Sequence, residues 1–214
     1  MRIGRFALAL AAPFLLVSCL LSPGKFASTL DIGKDRSFTF TYVGEVIVND
    51  PKMTDKNGEP AATPAKPGPP SAETVARRRA IADALAKEAG YRSVQYLGGD
   101  KFRVDYSISG RLDRSFVYPI NLDATAFIPW IAVELRKDGT VRMKAPAFGD
   151  ASEMMGSGVP GEPAEGREGT LTLTTDATLV MQNNEEGLAA GPGTKVVWRV
   201  TPSSKAVPTA VIRF

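Results

Sequence analysis

Residues 102–109 read Phe-Arg-Val-Asp-Tyr-Ser-Ile-Ser, and no other stretch limits the fold of this chain more. Successive side chains of an extended strand point to opposite faces, so Phe102, Val104, Tyr106 and Ile108 share one side. Arg103, Asp105, Ser107 and Ser109 share the other. The same period returns at Phe38, Phe40 and Tyr42, alternating with Thr39 and Thr41 on residue types that favour strands. Strands that are apolar on one side and polar on the other belong to an antiparallel sheet with one covered face.

Turn chemistry joins these strands. The phrases beginning at Leu30 (LDIGKDRSFTF), Val133 (VELRKDGTVRM) and Leu171 (LTLTTDATLVM) align without gaps. They place aspartate at 35, 138 and 176, and serine or threonine at 37, 140 and 178. Asp138-Gly139 supplies the positive φ that a tight hairpin needs. The phrases predict three β-hairpins, and their irregular spacing excludes a solenoid. A calcium site built from the three aspartates is unnecessary, because each is explained by its turn. Residues 93–112 read as a further hairpin around Gly98-Gly99.

Two segments interrupt this pattern. Residues 51–71 and 146–168 are rich in proline, glycine and small polar residues and read as flexible insertions. Ser71 is placed as the N-cap of a helix running to about Ala89 and stopping at Gly90. Val75, Ile81, Ala82, Leu85 and Ala89 form its apolar side, and Arg77, Arg78 and Arg79 form a basic run. With the apolar runs SFVYPI, AFIPWIAVEL, KVVWRV and TAVIRF, the count comes to about nine strands and one convincing helix. The expected fold is α+β: an antiparallel β-sheet built from hairpins, with one main helix packed on a face, as a single domain over residues 30–214.

The N-terminus is a different kind of text. Arg2 and Arg5 precede an apolar run from Phe6 to Val17, the layout of a secretory signal. Leu16-Val17-Ser18-Cys19 resembles the lipobox of bacterial lipoproteins. That resemblance implies a signal peptide over residues 1–18, cleavage before Cys19, and acylation of Cys19 with palmitate-like chains, followed by a tether to residue 29. The expected partner is then the membrane, through this anchor, and Leu20-Leu21 after the cysteine implies the outer membrane, facing the periplasm. Losing Arg2 and Arg5 lowers the formal charge from +3 to +1, which is no footprint for nucleic acid.

The chain has one cysteine and no histidine. Histidine is the commonest metal ligand and the usual general base, so neither a metal, a cofactor nor an enzyme is expected. No phosphate loop, nucleophile elbow or dinucleotide fingerprint occurs. Two stretches suit binding instead. Phe127, Trp130 and Ile131 lie in a run apolar on both faces, which is either a doubly buried strand or one lining a hydrophobic groove. Met154 and Met155 lie in a glycine-rich segment and have the adaptable shape suited to covering such a groove.

Cys19, the hairpin at Asp35, Asn183-Asn184, Gly187 and Trp198 together resemble the layout of LppM-like bacterial lipoprotein domains. That resemblance implies an α+β domain at the cell envelope that binds polar lipids or glycolipids, with no catalytic residue to carry over. The expected function is therefore a lipid-anchored, non-enzymatic envelope protein binding a lipid or other amphiphile. The alternative is an envelope interaction scaffold that contacts another protein and has no small-molecule site.

Overall fold

Alternation becomes a two-layered strand architecture in the computed structural model, which describes residues 20–49, 70–118, 129–150 and 166–214. The strands are β1 (Leu20–Ile32), β2 (Ser37–Asn49), β3 (Tyr91–Gly98), β4 (Lys101–Arg111), β5 (Phe116–Tyr118), β6 (Ile131–Leu135), β7 (Thr140–Lys144), β8 (Glu168–Thr175), β9 (Thr178–Gln182), β10 (Thr194–Val200) and β11 (Thr209–Arg213). The helix α1 spans Ala72–Leu85. A six-stranded sheet runs β10-β8-β1-β2-β4-β3 and a five-stranded sheet runs β5-β6-β7-β11-β9. Every pairing is antiparallel except β1 with β8. The fold is α+β.

The register explains the core. Leu30 faces Phe40 and Leu173, and Tyr42 faces Tyr106, so the apolar sides of neighbouring strands line up on one face of the larger sheet. Phe102, Val104 and Tyr106 are buried there while Arg103 is exposed, as their alternation requires. Aromatic contacts join this face to the second sheet: Phe40 packs on Phe116 and Tyr118, and Tyr42 on Trp130. Beyond the reach of the second sheet, α1 packs against β3 and buries Ala82. Ser71 caps α1 as expected, its hydroxyl accepting from the Thr74 amide at 3.1 Å.

Several sequence expectations require correction. Residues 20–29 are not a tether; they form most of β1, which pairs with β2 from Leu20 and with β8 from Lys25. Pro23-Gly24 suggested a loop, but the chain absorbs the pair in a register shift before Phe26 and keeps the alternation Phe26, Ser28, Leu30, Ile32. Gly44 makes the shift feasible, since a side chain there would meet the Lys25 carbonyl at 2.5 Å. The third predicted hairpin is not one. β8 pairs in the six-stranded sheet and β9 in the five-stranded sheet, so the turn at Asp176 carries the chain from one layer to the other.

The second insertion is narrower than expected, and residues 51–69 of the first lie outside the described residues. Pro146–Phe148 forms a buried 3₁₀ turn and β8 already begins at Glu168, while Phe148 stacks on Phe26 at 4.4 Å. The helix ends at Leu85, one turn before the glycine proposed as its stop. Eleven strands, rather than about nine, occupy the described residues, and the supposed tether lengthens the first of them.

The molecule has two distinct ends. One, here the proximal end, holds the start of β1, the β3–β4 turn, Trp130 and the segment 201–208. The other, the distal end, gathers the turns β1–β2, β6–β7 and β8–β9, the segment 111–115 and the end of β11.

Candidate functional site

Cys19, Phe127, Met154 and Met155 lie outside the described residues. Trp130 and Ile131 are described, and both are in the core, 1% and 0% exposed. The Trp130 amide donates to the Tyr118 carbonyl at 2.8 Å, and its Nε1 donates to the Leu21 carbonyl at 3.1 Å. Its ring lies 4.9 Å from that of Tyr42 and 5.8 Å from that of Tyr118. These side chains occupy the space between the sheets, which is the reason the segment is apolar on both faces.

A line of tyrosines continues from this point toward α1. The rings of Tyr106 and Tyr118 are 4.3 Å apart, and those of Tyr91 and Tyr106 are 5.0 Å apart. Burial pushes the Tyr42 and Tyr118 hydroxyls well above the usual phenol value, and raises Tyr91 and Tyr106 as well. The Tyr42 hydroxyl donates to the Glu45 carbonyl at 2.7 Å. Protonated phenols in this setting can orient a polar group but cannot act as bases near neutral pH. Sequence reasoning missed the line because its members come from β2, β3, β4 and β5, at unrelated spacings.

At the proximal end, β1 starts one residue after Cys19 in the middle of a hydrogen-bonded sheet. Arg78 of the basic run is 1% exposed and bonds Asp100 at 2.9 Å, tying α1 to the β3–β4 turn. Arg77 and Arg79 are exposed. Arg167 is also buried, its guanidinium donating to the carbonyls of Ala147, Gly149, Thr201 and Ser204. Desolvation lowers its pKa, and Asp150 opposes that shift. These contacts make the proximal end stiff.

The lateral edges differ. Along β10, Asn184 Nδ2 donates to the Val197 carbonyl and the Ala189 amide to the Lys195 carbonyl, so the loop between β9 and β10 covers that edge. Strand β9 pairs on one side with β11 and exposes Val180 and Met181. Its stretch from Ala177 to Asn184 carries no charge. Such an edge offers unpaired backbone groups to an added strand.

No family model matches the chain, and no curated protein matches it. Among solved structures, the folded domain of the LppM protein of Mycobacterium tuberculosis, determined by NMR, is similar at a TM-score of 0.38 and 11% identity. The alignment covers 91% of this chain and 92% of that one. This is a weak structural resemblance. The functional reading rests on the residues of this chain.

Proposed function

We propose that the protein is a lipid-anchored component of the bacterial cell envelope, non-enzymatic, that works as a rigid interaction module. The observation that carries this reading is the position of Trp130. Trp130 and Ile131, from the run read as either doubly buried or groove-lining, are buried in the core, and the same indole clamps the first residues of β1. An acyl chain on Cys19 would then pass directly into a central strand rather than through a flexible leader. The absence of histidine from the sequence and the commitment of Asp35 and Asp138 to their turns support a role without catalysis.

The amphiphile-binding reading is favoured by one separate feature, the tyrosine line, whose half-buried member Tyr91 lies where α1 meets β3. One experiment separates the two. The full chain and Cys19→Ser are expressed in a bacterial envelope, fractionated, purified and extracted with organic solvent. The proposal expects Cys19→Ser to leave the membrane fraction, and the extract to contain no stoichiometric non-covalent lipid. A stoichiometric lipid, lost on Tyr91→Phe, would establish the amphiphile reading instead. Unchanged membrane partition of Cys19→Ser would remove the anchor.

A further inference from the structure

The distal end collects positive charge. Lys34, Arg36, Arg111, Arg114, Arg136 and Lys137 come together there from three turns and loops, and Arg213 joins them at the end of β11. Their proximity is fixed by contacts across both sheets. The Leu112 amide donates to the Arg36 carbonyl at 2.8 Å, Ser115 Oγ accepts from the Leu135 amide at 3.3 Å, and Arg213 pairs with Thr140. Against these seven cations the same turns hold four carboxylates, Asp35, Asp113, Asp138 and Asp176. Three of the four accept hydrogen bonds within these turns while staying exposed. Asp35 Oδ1 accepts from Ser37, Asp138 Oδ1 from Thr140, and Asp176 Oδ1 from the Lys34 amide. Seven cations against four carboxylates leave these turns with a positive balance.

Arg36 is half-buried at this end. It adopts φ +69°, a left-handed conformation that a residue with a Cβ rarely takes, and its guanidinium lies 5.2 Å from the centre of the Phe214 ring. The exposed large hydrophobic residues, Val43, Leu97, Val117, Val180, Met181 and Leu188, all lie outside these turns. A protein interface of useful affinity is built around buried apolar or aromatic anchors, which this surface lacks. A bilayer is also the wrong occupant. The thirteen-residue β1 places the distal end about 40 Å from Leu20.

We propose that the distal end binds a polyanionic polysaccharide of the envelope, with the arginine and lysine side chains pairing repeated anionic groups along an extended glycan. This names the partner of the interaction module proposed above and rests on that reading for its orientation. The binding itself is testable without the anchor.

The test uses the full-length chain in non-ionic detergent, with polygalacturonate as the carboxylated glycan probe. Polyglutamate and phosphatidylglycerol vesicles serve as the peptide and membrane comparisons. Polygalacturonate is expected to bind, to weaken as salt rises through the physiological range, and to lose about tenfold in affinity in Arg114→Glu/Arg136→Glu/Lys137→Glu. The proximal control Arg77→Glu/Lys101→Glu/Arg103→Glu should bind as the parent does. If the distal triple variant loses its thermal transition, Arg114→Gln/Arg136→Gln/Lys137→Gln takes its place. Absence of binding, equal binding by the distal variant, or tighter binding to polyglutamate or to the vesicles overturns the proposal. None of these outcomes alters the fractionation of Cys19→Ser, so failure here is distinguishable from failure of the anchor.

Discussion

The indole Nε1 of Trp130 donates to the main-chain carbonyl of Leu21 at 3.1 Å, across 109 residues of sequence. One hydrogen bond thus ties the entrance of the five-stranded sheet to the first turn of backbone in the six-stranded one. Trp130→Ala is expected to cost about 3–5 kcal/mol, from the cavity it leaves beside Tyr42 and Tyr118. Trp130→Phe should cost less, about 1–3 kcal/mol, chiefly through the carbonyl left without its donor. Urea denaturation of both variants checks the order. A Trp130→Phe midpoint equal to that of the parent would show that the hydrogen bond contributes nothing.

Arg167 holds two separate stretches of chain, 147–149 and 201–204, through four carbonyl acceptors. Arg167→Met removes all four donors and should destabilise by about 3 kcal/mol or more. Arg167→Lys should recover only part of that, because an ammonium has three donors and lacks the planar fork. The local consequence is sharper than the global one. Limited proteolysis should open residues 201–205 in both variants before the rest of the domain yields.

Acid should loosen the distal turns first. Hydrogen bonds from Ser37 hold the Asp35 carboxyl below its usual value of 3.8, and those from Thr140 do the same for Asp138. A depressed folded-state pKa contributes stability that is present above the unfolded value and is lost as pH falls through the folded one. The thermal midpoint is therefore expected to fall below pH 3.8, with Ser37→Ala/Thr140→Ala showing a shallower decline over the same range. Parallel curves for parent and variant would count against this origin.

Alkaline behaviour follows from the tyrosine line. Burial raises the pKa of Tyr42, Tyr91, Tyr106 and Tyr118. For a group raised in the folded state, the associated stability is complete below the unfolded pKa, near 10.0 here, and is lost as pH rises beyond it. Tyrosinate absorbance should lag behind that of free tyrosine and then rise in a step that coincides with unfolding by circular dichroism. A smooth titration centred near 10.0 in the folded protein would show that water reaches these phenols.

The candidate site was less legible than the fold. Trp130 and Ile131 stood out because their run is apolar on both faces, but that pattern is common to a groove and to a doubly packed strand. Only the neighbours distinguish them. The tyrosine line and the distal cations had no signal at all along the chain, since each is assembled from turns and strands at unrelated positions. Arg36 takes its left-handed conformation at the turn position that Gly139 holds in the aligned β6–β7 phrase, where φ is +80°.

Local chemistry settled what is local. Period-two alternation marked Phe38–Tyr42 and Phe102–Ser109 as half-buried strands, Ser71 marked the start of α1, and Asp35 and Asp138 marked two hairpin turns, all from interactions within a few residues. Tertiary structure decided the rest. Whether Lys25–Thr29 is a tether or a central strand depends on β8 arriving alongside it from beyond residue 167, a pairing with no trace in the local sequence. The turn at Asp176 has the same chemistry as those at Asp35 and Asp138. It becomes a crossing between layers because β8 has Leu30 and Trp198 as better partners than its own successor. Strand pairing is a competition among edges, and only the assembled sheet shows which edge was nearest.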